Sequence, residues 1–264
     1  MKKVSSVLSG YWNFTDKKSG FSLGEVLVTL AIIGIVAAMS IPIIVSYTNG
    51  AKFRSQYKKV VSTLNQAGLM SQAKYNFAFS SVNTPCSEDT SLGSKEHPES
   101  VMSMCAILNG TLTGATYVGK VTNLKKNNGK TEVPYSLNTR ETIPDDYTDY
   151  LAYTLADGTI IAFNPDADKC ELPIGRRPVQ DVFTGVVDGV TLKHCVGFID
   201  VNGVSMPNRE VNCYSGENKV DAGSKCVVIN NAFRLVDVFP IVFHDMGVEP
   251  ASGAAQYVLD SSKL

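Results

Sequence analysis

Three sets of residues in this chain have types and spacing that could do chemistry. The first is a lone carboxylate, Glu25, placed immediately before a long uncharged run. The second is six cysteines: Cys86, Cys105, Cys170, Cys195, Cys213 and Cys226. The third is acids at turn spacing, Asp200 with Asn202 and a later Asp237, and Asp166 with Asp168 and Glu171. A carboxylate at an apolar edge is costly to desolvate and marks a functional position, unless headgroup water simply hydrates it. The cysteines contain no CxxC pair, which disfavours a thioredoxin-like or zinc-ribbon role. Their even number fits three disulfides in an exported chain, with the connectivity open. Cys86–Cys105 and Cys195–Cys213 are plausible local pairs, each loop contributing about 3 kcal/mol by loop entropy. Asp200 and Asn202 have the alternation of hard-oxygen ligands, and Asp237 could return to them, so a calcium ion is one reading. A full calcium-loop motif is absent, and side-chain bonds within a tight turn explain the same residues. Otherwise no metal or cofactor is expected.

Other patterns lead nowhere. Gly114 to Val121 matches most of a phosphate-binding loop but lacks the Ser or Thr for magnesium. His194 beside Cys195 is not a catalytic pair, because nucleophile and base must meet in space and be oriented by a third group. Lys120, Lys125, Lys126 and Lys130 make a basic loop, usually a solvated turn, which would touch DNA phosphates only in a DNA-uptake protein. With 24 basic and 25 acidic residues among 264, a globally basic nucleic-acid binder is excluded.

The elements that must position these residues begin with an uncharged stretch from Val26 to Val45. About 20 apolar residues in a helix rise about 30 Å, enough to span a bilayer core. Lys2, Lys3, Lys17 and Lys18 before it predict a cytoplasmic N-terminus and an exported body. Lys52, Arg54, Lys58 and Lys59 beyond it weaken that charge argument without reversing it. Pro42 removes the amide that would bond to Ala38, which predicts a kink or local melting over Ala38–Pro42. Phe53, Tyr57, Val60, Val61, Leu64, Ala67 and Gly68 recur at three- and four-residue spacing, the stripe of a helix packed on a sheet. Turn residues from Ser80 to Pro85 predict a helix end between Phe79 and Pro85. Beyond it, Tyr150–Leu155 and Thr159–Phe163 around Asp157-Gly158 read as a hairpin. Further strands are predicted at Val196–Val201, Val227–Ile229 and Phe233–Val236, and a short helix at Ser100–Leu108.

Lys-Ser-Gly20-Phe21-Ser22-Leu23-x-Glu25 followed by a long apolar helix resembles the prepilin leader and N-terminal segment, the start of type IV pilins and of type II secretion pseudopilins. The likeness covers roughly residues 15–60, and Pro42 adds to it. Gly24 departs from it, standing where the family usually has a larger apolar residue. So do Tyr11, Trp12 and Phe14 in the leader, which fit a start codon downstream of Met1. The resemblance implies cleavage between Gly20 and Phe21 by a prepilin peptidase, N-methylation of the new Phe21 amine, and pairing of Glu25 with the amine of a neighbouring subunit. A weaker likeness, from Asp200 through Pro207-Asn208 to Asp237-Val238-Phe239, is to pilin-like C-termini, where some secretion pseudopilins bind calcium.

These readings together predict an α+β, pilin-like protein. Residues 1–20 are the leader, 21–45 the transmembrane part of a long helix, 46–80 its soluble amphipathic continuation, and 81–264 an extracytoplasmic head with a small antiparallel sheet. The expected function is a structural subunit rather than an enzyme. It would enter an inner-membrane filament, a type II secretion pseudopilus or a type IV pilus. Its expected partners are prepilin peptidase, other pilin-like subunits and an inner-membrane assembly platform. A membrane-anchored extracytoplasmic enzyme and a DNA-uptake pilin are the alternatives.

Overall fold

The computed structural model describes residues 20–86, 98–127, 132–138, 141–172, 186–187, 190–192, 194–220, 226–228 and 235–261. The chain divides into two compact units, Met1–Ile43 and Ile44–Leu264. Helix α1, Leu23–Tyr75, supplies residues to both. The other helices are α2, Met104–Thr111, and α3, Gly253–Asp260. The strands are β1 Thr116–Lys120, β2 Lys125–Asn127, β3 Glu132–Pro134, β4 Leu151–Thr154, β5 Ile160–Phe163, β6 Val186–Val187, β7 Val190–Thr191, β8 Val196–Asp200, β9 Val238–His244 and β10 Gly247–Pro250.

In the first unit the helix offers apolar side chains on every side. Leu23–Ile41 has a mean hydropathy of 2.2, and none of this stretch is buried within the chain. It is long and apolar enough to cross a membrane. With no water in a hydrocarbon core, polar side chains there must find partners on their own helix. Thr29 does so by donating to the Val26 carbonyl at 3.0 Å, and Ser40 by donating to the Val36 carbonyl. Helical backbone continues through Pro42, so the expected local melting over Ala38–Pro42 is not observed.

The second unit is an α+β head. Its six-stranded sheet has the order β1-β4-β5-β8-β9-β10, and each neighbouring pair is antiparallel. Every residue of the predicted stripe, Phe53, Tyr57, Val60, Val61, Leu64, Ala67 and Gly68, is buried. Tyr57 stacks on Phe239 of β9 with ring centroids 4.2 Å apart. Ile161, Ile199 and Phe239 stand in one row of the ladder, so they share the face that α1 covers. Phe198 points to the other face, where Tyr135, Tyr147 and Tyr150 pack on it.

The predicted hairpin is present as β4 and β5, closed by the Leu155 amide on the Thr159 carbonyl at 2.8 Å, with Gly158 at φ +85°. Several boundaries differ from expectation. Helix α1 ends at Tyr75 because Asn76 turns left-handed at φ 58° and the next residues, Phe77 to Phe79, dive into the core. The short helix starts at Met104, not Ser100, because Ser103 caps it by accepting from the Ala106 amide at 3.0 Å. Val227 makes only an isolated bridge to Ser215, and Ile229, Phe233 and Arg234 lie outside the described residues. Leu235 and Val236 precede the strand, which begins at Val238.

Strand β9 was hidden by Pro240, since a central strand seldom holds proline. The Phe243 amide donates to Cys195 beside β8, and the Val238 amide donates to Arg209 on the opposite side. Amides alternate along a strand, so the Pro240 nitrogen faces away from β8. On that side β10 has already ended at Pro250, which pairs with Ile241. The Ala251 amide still donates to the Pro240 carbonyl at 3.0 Å, so the proline costs only the reciprocal bond at the end of the β9–β10 pairing.

Gly68 packs closely against the β9–β10 turn. A methyl group there would collide with the Met246 carbonyl and crowd the Phe79 ring. Gly68→Ala is therefore expected to destabilise the head by about 1–3 kcal/mol despite better helix propensity. Tyr57 is fully buried, and its hydroxyl finds no hydrogen-bond partner among the described residues. Tyr57→Phe keeps the stack and should be neutral or stabilising by up to about 1 kcal/mol. Thermal unfolding of the two detergent-solubilised variants checks both signs.

Candidate processing and assembly site

Gly20 and Phe21 lie in non-helical backbone just ahead of α1, and Phe21 is 86% exposed. A methyl group on Gly20 would meet nothing within 4 Å. Among the described residues no neighbour therefore requires glycine there. The helix start is set by Ser22 and Glu25. The Ser22 hydroxyl oxygen accepts from the Glu25 amide at 3.2 Å, and Glu25 Oε2 accepts from the Ser22 amide at 2.8 Å. The Ser22 hydroxyl also donates to the same carboxylate oxygen at 3.0 Å. This is a reciprocal capping box, which satisfies amides that the first helical turn leaves open. Glu25 is held at the edge of the apolar run, in the first turn of the helix. The leader lysines, Lys2, Lys3, Lys17 and Lys18, lie outside the described residues, as do Tyr11, Trp12 and Phe14.

The second group of candidates lies at the junction of β8 and β9. Asp200 and Asp237 are fully buried there, and the Val201 amide donates to the Asp237 carbonyl at 3.0 Å. Both carboxylates are engaged by the chain itself. Asp200 accepts from the Tyr135 hydroxyl at 2.7 Å and from the Asn202 amide at 3.0 Å. Asp237 accepts from the amides of Asn208 at 3.1 Å and Arg209 at 2.7 Å. The Asn202 side chain donates to the carbonyls of Ser205 and Met206 at 3.1 and 2.9 Å. Glu210, also buried, accepts from the amides of Glu141, Thr142 and Ile143 at 2.8, 2.9 and 3.3 Å. These three acids fasten loops to the sheet. The turn reading of Asp200 and Asn202 describes this arrangement. Among the described residues no three His, Cys, Asp or Glu side chains are grouped to hold a metal ion, and the donor set around Asp237 is occupied by backbone N–H groups. Asp166 and Asp168 are exposed, with the Asp166 amide bonded to the Asn164 side chain in a local turn.

The cysteines form three disulfides, Cys86–Cys105, Cys170–Cys195 and Cys213–Cys226. The suggested Cys195–Cys213 pair is corrected. Cys195 immediately precedes β8 and meets Cys170 from the segment after β5, while Cys213 closes a local loop with Cys226 beside the Ser215–Val227 bridge. Bonded to Cys170, Cys195 is no nucleophile for His194. The stretch resembling a phosphate loop is built mainly of strand β1, with no α-helix following it. In the basic loop Lys125 pairs with Glu132 at 2.8 Å and Lys120 with Asp149 at 3.0 Å, as in a solvated turn; Asn128, Gly129 and Lys130 lie outside the described residues. Periodicity missed one function of the cations after the apolar run. Lys58 donates to the Ser261 carbonyl at 3.0 Å, and Arg54 reaches the same oxygen at 3.5 Å, so they close the C-terminal end of α3.

Residues 15–41 match the family described as the prokaryotic N-terminal methylation motif, the prepilin-type signal of pilins and pseudopilins. The match includes Gly20, Phe21, Ser22, Glu25 and most of the apolar run. No curated protein and no solved structure matches the chain. The chain thus carries a prepilin-type signal, an N-terminal apolar helix fit for a single-pass anchor, and a disulfide-bonded head with the α+β composition of a pilin-like fold.

Burial raises the carboxyl of Asp237 to about 6. Asp200 is pushed well above the usual carboxylate range, first by burial and then by the Asp237 charge, and burial also raises Glu210 against its backbone donors. A carboxyl whose pKa is raised on folding holds its proton longer in the native state than in the unfolded one. Stability then falls as pH rises from the unfolded value near 4 through about 6. The unfolding temperature of the protein in detergent should drop by about 5 °C across that window. Asp200→Asn removes one of the two facing charges and should flatten the slope.

Proposed function

We propose that this chain is a structural pilin-like subunit, cut between Gly20 and Phe21 by a prepilin peptidase, N-methylated at Phe21, and built into an inner-membrane filament. The filament is a type II secretion pseudopilus or a type IV pilus, and the machine's platform and other pilin-like subunits are the partners. The observation that carries the reading is the prepilin-type signal at residues 15–41, with Gly20–Phe21 in exposed, non-helical backbone and Glu25 at the entry of the apolar helix. The N-terminus is cytoplasmic and the head extracytoplasmic, where disulfides persist.

In this reading cleavage leaves a cationic amine on Phe21. Within a filament core, that amine and a carboxylate would each be buried at a cost of several kcal/mol, and pairing them offsets it. Glu25 of one subunit then meets the Phe21 amine of the next, which sets the register between subunits. A structural role accords with the head's chemistry, since its buried acids are committed to loops and its cysteines to disulfides. Neither an enzymatic nor a DNA-uptake role has comparable support.

Mass spectrometry of the protein isolated from cells containing a prepilin peptidase should find a chain beginning with N-methylated Phe21. Glu25→Val should insert in the membrane at wild-type level and lose at least about 90% of its incorporation into filaments, given a pairing worth several kcal/mol. A mature chain that keeps its lysine-bearing leader would overturn the reading, and normal assembly of the Val variant would remove Glu25 from it.

A further inference from the structure

Peptide hydrolysis at Gly20–Phe21 adds water across the amide, leaving a carboxylate on Gly20 and an amine on Phe21. The attacked carbonyl must be open, and its flanking backbone must be free to fit a peptidase cleft. Helical backbone fails both conditions, because each carbonyl accepts the amide four residues on. One more turn of α1 would send the Glu25 amide to the Phe21 carbonyl and the Gly24 amide to the Gly20 carbonyl. Here the Glu25 amide is instead taken by the Ser22 hydroxyl oxygen at 3.2 Å. The Ser22 amide is taken by the Glu25 carboxylate at 2.8 Å, and the first backbone bond of the helix runs from the Val26 amide to the Ser22 carbonyl at 3.2 Å. Helical backbone therefore starts at Leu23, and Phe21 stands in the open.

We propose that Ser22 is a positioning residue for processing: its capping box with Glu25 stops the helix one residue after Phe21 and keeps the scissile bond in accessible, non-helical backbone. The inference rests on the processing reading above and deepens it. It gives Glu25 an earlier task in the precursor, before any neighbouring amine exists. It also gives position 22 a requirement that hydrophobicity alone would not impose. Side chains that cap well, Ser, Asn, Asp and Thr, satisfy it, whereas alanine is a poor cap and the strongest helix former. Ser22→Ala therefore removes the stop and favours helix at the same position.

The test uses the full-length precursor in membranes and a purified prepilin peptidase, with cleavage followed by the shift to the shorter chain. Insertion, measured by resistance to alkaline extraction, should be equal for all variants. Ser22→Ala should lower kcat/KM about fivefold, the effect of losing one cap. Ser22→Asn and Ser22→Thr should restore it to within about twofold of wild type, the ranking of cap propensity. Such rescue distinguishes capping from loss of a side chain the peptidase merely touches. Equal cleavage of wild type and Ser22→Ala, or equal slowing by Ala, Asn and Thr, overturns the inference and leaves the processing reading standing. A wild-type precursor that is never cut overturns both.

Discussion

The head is organised by one apolar seam, between the stripe of α1 from Phe53 to Gly68 and the face of the sheet that carries Phe239. Its centre is the Tyr57–Phe239 stack, and its near edge is Gly68 against the β9–β10 turn. A six-stranded antiparallel sheet with two apolar faces needs a cover on each. The helix supplies one. The other cover comes from tyrosines on irregular segments, Tyr135, Tyr147 and Tyr150 around Phe198. The seam also explains why the last turns of α1 and the following residues stay together. Asn76 reverses the chain, and Phe77 and Phe79 return to the same core.

Covering a sheet face with irregular chain leaves many backbone amides to satisfy away from water. The buried acids answer that need. Asp237 and Glu210 between them accept from five amides, and Asp200 takes the Tyr135 hydroxyl and the Asn202 amide. Burial raises both carboxyls, and at Asp200 the Asp237 charge adds to it, so the clamp is strongest where one of them keeps its proton. The disulfides act on the same problem by covalent means. Cys213–Cys226 closes part of the long connection from β8 to β9, and Cys170–Cys195 binds the segment after β5 to the start of β8.

At the N-terminus the governing constraint is the apolar run. A helix with apolar side chains all round can keep only those polar groups that its own backbone satisfies, as Thr29 and Ser40 show. Glu25 escapes this rule by sitting where the helix begins, with open amides to bind. In the proposed reading one carboxylate serves the precursor as a cap and the processed chain as a partner for an amine, because both need a negative charge at the same helix start.

Much of this was legible in the residues themselves. The spacing of Phe53 to Gly68 specified a buried stripe, since period and polarity on a helix need no knowledge of the partner. Asp157-Gly158 between two β-prone runs specified a hairpin, because the turn requires a left-handed residue at that point. Glu25 stood out by its place before the apolar run, and Gly20 and Phe21 through the resemblance to a prepilin leader. Contacts between distant segments were not legible. Pro240 disguised β9, and its tolerance depends on its standing at the end of the pairing with β10. The partner of Cys195 depends on where β5 and β8 lie in the sheet, and the use of Arg54 and Lys58 depends on α3 arriving beside α1. Sequence by itself determined local conformation and polarity, which act over a few residues. Only the tertiary structure decided which distant residues meet, because that choice rests on the packing of the whole head.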